Sequence, residues 1–151
     1  MYLIKKAIPW VSLGIILTIL LVINSQYPKV FSDQNKFFSD FLDSDLLSTV
    51  GFMASISLAT ATSIHFAMND FEIREKMALT TTKASVRRSA TSLIVTFVFA
   101  LLIVVVKPLW PDCPKFVAYA NMASIMLLIF NAFVMHDLLM TALSIPGFKK
   151  P

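Results

Sequence analysis

The chain has 151 residues, 57% of them hydrophobic and 15% charged, with a net charge of +4 and a mean hydropathy of +0.75. Soluble domains hold roughly 45–50% apolar residues, so this composition excludes a water-soluble globular class. The single cysteine, Cys113, excludes an intrachain disulfide and paired-thiol redox chemistry.

Four uncharged runs organise the chain: Ala7 to Ile23, Leu46 to Met68, Ser92 to Val106 and Phe116 to Met135. As helices, each is long enough to cross or nearly cross ~30 Å of hydrocarbon. The expected fold is an all-α membrane protein of one domain, 1–151, with spans over about 7–24, 46–68, 91–107 and 116–137. Lys5 and Lys6 ahead of the first run resemble a signal sequence, but the exit Ile23-Asn24-Ser25-Gln26 lacks a cleavage pair, which favours an uncleaved anchor.

Charge placement sets the expected orientation. Lys5, Lys6, Arg74, Lys76, Lys83, Arg87, Arg88, Lys149 and Lys150 flank one side of the spans, against Lys29, Lys36, Lys107 and Lys115 on the other. The positive-inside rule therefore places both termini and the middle loop in the cytoplasm of a bacterial inner membrane. Trp10, Tyr27, Trp110 and Tyr119 stand near span ends, at the depth aromatic rings prefer.

Between the first two spans, Val30 to Leu47 sets Phe31, Phe37, Phe38, Phe41 and Leu42 at near-helical spacing among Asp33, Lys36, Asp40 and Asp43. The pattern predicts an amphipathic outer-face segment, lying either on the leaflet or against the bundle's own end.

The second span carries a stripe of small and polar residues. Ser48, Gly51, Ala54, Ser55, Ala59, Thr62 and His65 share an arc of about 140°, and Gly51, Ser55, Ala59 and Ser63 form a four-residue ladder. Such a stripe suits either close helix contact or the wall of a narrow axial path in a symmetric ring.

The middle loop reads as a short helical hairpin extending into the cytoplasm. Asp70 with Arg74 and Glu72 with Lys76 are i,i+4 pairs that would carry the second helix to about Leu79. Thr80-Thr81-Thr82 reads as a break, and Ser85 as the cap of the third helix. Lys76, Lys83, Arg87 and Arg88 give this collar a basic face suited to an anionic nucleotide or oligonucleotide, to anionic lipid, or to a partner protein.

The third span is apolar all round and is expected to be the most lipid-exposed. Lys107 to Pro114 holds three prolines and reads as a rigid non-helical turn. The fourth span places Asn121, Ser124 and Asn131 on one face, where an amide must find another helix or water.

Enzyme chemistry finds no footing. There is no phosphate loop, zinc helix, nucleophile elbow or intramembrane acid, and His65 and His136 have no metal spacing, so no catalytic residue, metal or cofactor is expected. Two readings remain: a homo-oligomeric pore or ion channel, with a tetramer preferred, and a noncatalytic anchor or sensor subunit that recruits a cytoplasmic partner.

In architecture, through the four runs, the Gly51-Ser55-Ala59-Ser63 helix, the charged Asp70 to Arg88 loop and the Lys149-Lys150 tail, the chain resembles small four-helix membrane subunits of bacterial antiphage systems. Hailong-type effectors and Kiwa-type sensors are the examples. The resemblance implies a nucleotide-gated effector that depolarises the cell.

Overall fold

The computed structural model describes residues 2–76 and 78–144; the side chains of 2–9, 43, 44 and 144 are outside that description. Lys5, Lys6 and Asp43 in their side chains, and the Lys149-Lys150 tail entirely, thus lie outside the described residues. Every regular element is helical: α1 (Tyr2–Gln26), α2 (Lys36–Asp40), α3 (Leu46–Glu75), α4 (Thr80–Val106) and α5 (Pro114–Ser144). Each uncharged run lies inside one of the four long helices.

Those helices rise about 37–47 Å at 1.5 Å per residue. By length and composition α3, α4 with the turn that follows it, and α5 can each cross a membrane; α1 joins them if it is counted together with the segment after it, bent by 109°. The protein is thus compatible with a multi-pass membrane protein of three to four spans.

α3, α4 and α5 form a bundle, and α1 leans mainly on α5. Among its described side chains only Asn24 is buried. α1, and not α4, is therefore the least covered helix, which corrects the expectation for the third span. α4 still contributes Val86, Leu93, Thr96 and Ala100 to the interior.

The connection from α1 to α3, which contains the amphipathic segment Val30–Leu47, is not one continuous α-helix. Pro28 opens a 3₁₀ turn over Pro28–Phe31, Asn35 caps α2 by accepting from the Phe37 N–H at 3.1 Å, and Phe41–Asp45 form a π-helical turn. A π turn inserts one extra residue per turn, which keeps Phe38, Leu42, Leu46 and Val50 on one inward stripe. Phe31, Phe38 and Leu42 are buried, while Phe37 is exposed and stacks on Phe41.

At the opposite end, α3 stops at Glu75 because Lys76 turns left-handed, with φ of 51°. α4 begins at Thr80. The helix thus neither reaches Leu79 nor waits for Ser85, and the three threonines form the first turn of α4. Lys107–Leu109 continue α4 as a 3₁₀ turn, and Pro114 opens α5, where its missing N–H leaves no bond unmade.

The interior has two apolar clusters. One gathers Phe31, Phe38, Leu46, Val50, Ala100 and Met122; the other gathers Ala61, Ile64, Met68, Leu93, Val134 and Leu138. Between them in sequence on all three helices come buried polar residues, Ser57, Thr96, Ser124 and Asn131.

Candidate functional site

The stripe of the second span turns away from its own bundle. The inward residues of α3 are Leu46, Val50, Ala54, Ser57, Ala61, Ile64 and Met68. Ser48, Ser55, Ala59, Thr62 and His65 are all exposed, and Gly51 is partly so. Ala54 is the one member of the arc that points in.

Besides Ala54, Gly51 has a packing role inside the chain. A Cβ there would meet the Phe97 ring at 3.3 Å, so its smallness makes room for α4. The rest of the stripe is spare.

Its hydroxyls are satisfied locally. Ser55 donates to the Gly51 carbonyl at 2.8 Å, Thr62 to Leu58 at 2.9 Å and Ser63 to Ala59 at 3.0 Å. A hydroxyl bonded to the carbonyl four residues back keeps its lone pairs outward, so the stripe is weakly polar and uncharged, with the exposed rings of Phe52 and Phe66 in or beside it. Such a surface can meet another helix closely or border water without a desolvation penalty.

The fourth-span asparagines lie elsewhere. Asn121 is fully buried, its Nδ2 donating to the Phe31 carbonyl at 2.6 Å and to Asp33 Oδ1 at 2.9 Å. Asn131 is also fully buried, and neither atom of its amide has a partner among the described residues. The residues read together as pore-lining or interhelical therefore separate into an outward face on α3 and two interior positions on α5.

The basic collar divides as well. Lys76, Arg87 and Arg88 are exposed. Lys83 is engaged: its ammonium donates to Glu72, whose other carboxylate oxygen accepts the Leu79 N–H at the start of α4. Glu72 was expected to pair with Lys76, but the left-handed turn takes Lys76 off the helical register and Lys83 replaces it. Asp70 and Arg74 do pair, at 3.1 Å, on an exposed face.

Glu72 lies beyond the apolar run that ends at Met68, outside the spanning segment. Its hydrogen bonds from Lys83 and Leu79, aided by the nearby positive charge, hold its carboxyl below the ordinary value of 4.5.

Two features escaped the sequence reading. Lys107 has its side chain 7% exposed and its Nζ 2.9 Å from Asp33 Oδ1, and Ser89 of α4 donates to Asp137 of α5 at 3.0 Å. Nothing in local sequence announces either, since the partners stand dozens of residues apart.

No family model, curated protein or solved structure matches this chain.

Proposed function

We propose that the chain is a subunit of a homo-oligomeric membrane pore, with the open face of α3 turned toward sister copies around an axis. The observation that carries this reading is the exposed Ser48, Ser55, Ala59, Thr62 and His65 face, which the protein's own bundle leaves uncovered. One thin bundle cannot enclose a water path, but a closed ring of copies can, and four is the preferred number.

In this reading the termini and the α3–α4 turn face the cytoplasm of a bacterial inner membrane, and the segment after α1 lies at the outer leaflet. Lys76, Arg87 and Arg88 form the port for an anionic nucleotide or oligonucleotide ligand. Lys83 is left out of that port because Glu72 neutralises it. The resemblance to antiphage subunits supplies the biological role, an effector that dissipates ion gradients when its ligand arrives or leaves.

A second reading, a noncatalytic anchor or sensor, draws on Ile73. This apolar residue is 76% exposed on the extension of α3 beyond Met68, where a partner protein could cover it. Recording from planar bilayers that contain the purified protein separates the readings. Unitary current steps, lost on Ala59→Phe, support the pore, whereas silence at every nucleotide tried leaves only the tether.

A further inference from the structure

A cleft of about 290 Å³ opens between α1 and α4, at the end of the bundle near the α3–α4 turn. Its floor is apolar: Phe130, Phe133 and Val134 of α5, flanked by Leu13. Trp10, at the depth an interfacial ring prefers, stands on the α1 wall. The size is near the lower end of the roughly 300–1,000 Å³ of ligand sites.

The polar residues of the cleft are unusually uncommitted. Most hydroxyls of α3 and α5 return to their own helix, as at Ser57, Thr60, Thr62 and Ser124. Ser85 and Ser92, two of the cleft's walls, make no side-chain hydrogen bond among the described residues, and Arg88 between them makes neither a hydrogen bond nor an ion pair there. Asp137 faces the same space, its carboxylate oriented by the Ser89 hydroxyl at 3.0 Å. Among the described residues, the cleft thus holds one cation and one anion that do not pair with each other.

We propose that this cleft binds the headgroup of a zwitterionic aminophospholipid, of the phosphatidylethanolamine type. Arg88 with the Ser85 and Ser92 hydroxyls takes the phosphate through charge-assisted bonds. Asp137 takes the primary ammonium, and the acyl chains run over Phe130, Phe133 and Leu13. His136 adds a donor at the rim. Separate opposite charges distinguish this occupant from a purely anionic lipid, which would leave Asp137 facing phosphate. They also distinguish it from a choline lipid, whose quaternary nitrogen has no N–H to give.

The site rests on insertion of the bundle into a membrane and shares Arg88 with the proposed anion port, so it is read by lipid selectivity and not by conduction. The test is native mass spectrometry of the full chain extracted in mild detergent, offered an equimolar mixture of phosphatidylethanolamine, phosphatidylglycerol and phosphatidylcholine with identical acyl chains. The expected result is an ethanolamine-lipid adduct favoured by about fivefold. Arg88→Gln should weaken adducts of all three, and Asp137→Asn, which still accepts from Ser89, should erase the preference over phosphatidylglycerol while circular dichroism stays helical. Equal adducts in the wild type, a preference for phosphatidylglycerol, or an Asp137→Asn protein with its selectivity intact would overturn the site. Recovery of the chain in the soluble fraction without detergent would overturn membrane insertion itself, and the site with it.

Discussion

Asn121 of α5 and Lys107 at the end of α4 converge on one oxygen, Asp33 Oδ1, each at 2.9 Å. A single carboxylate from the segment after α1 thereby ties two helices together at their shared end. The Lys107 side chain is almost wholly buried while that of Asp33 is 43% exposed, so the pair is only partly screened by water. Asp33→Asn and Lys107→Met are each expected to lower unfolding stability in detergent by about 1–2 kcal/mol. Thermal denaturation of the two variants and of the double variant measures this; fully additive losses in the double variant would refute the clamp.

Glu72 holds the opposite end. Its carboxyl is lowered below 4.5 in the folded chain, so its contribution is present above the unfolded value and is lost as pH falls through the folded one. Glu72→Gln should therefore lower the melting temperature at pH 7, and the gap to wild type should close as the buffer is taken below the ordinary value of 4.5 and on through the lowered one. Lys83→Met should show the same convergence. A gap that persists in acid would mean that the carboxylate's charge contributes nothing to the turn.

Lys76 occupies a conformation, φ of 51°, that glycine adopts freely and other residues pay for. Lys76→Gly is expected to raise stability by up to about 1 kcal/mol. If Lys76 also belongs to the anion port, the same change should weaken nucleotide binding, read by calorimetry, while the melting temperature rises. Opposite signs in the two measurements separate backbone relief from lost charge.

How much of this was open to reading from the residues differs by level. The four long helices were legible, because a run without charge has one physical destiny in hydrocarbon. Which side of α3 faces in was not. A small, weakly polar row can pack against a helix of its own chain or face outward equally well, so the row from Ser48 to His65 did not by itself tell which way it turns. The Asp33 and Glu72 clamps were illegible for another reason. Asn121 meets Phe31 ninety positions away, and the Glu72 partner changed once Lys76 left the helical path.

Asn131 offers a test of the buried polar layer. Its amide is fully enclosed and unpaired among the described residues, an arrangement that costs about 1–3 kcal/mol. Asn131→Leu, close in volume and free of polar atoms, should therefore stabilise the purified protein to heat. Destabilisation would show that the amide bonds to water or to a rearranged neighbour in solution.

The claim that matters most is that the open face of α3 borders a water path between copies. In a Cys113→Ser background, Ser55→Cys would be exposed to a charged, membrane-impermeant thiol reagent while current is recorded across a planar bilayer. The account predicts that modification lowers the open current by about tenfold, since a bulky charge in a narrow path blocks it, and that reduction restores it. Current that persists unchanged after complete labelling, or a protein that never conducts and labels only with lipid-soluble reagents, would contradict the account.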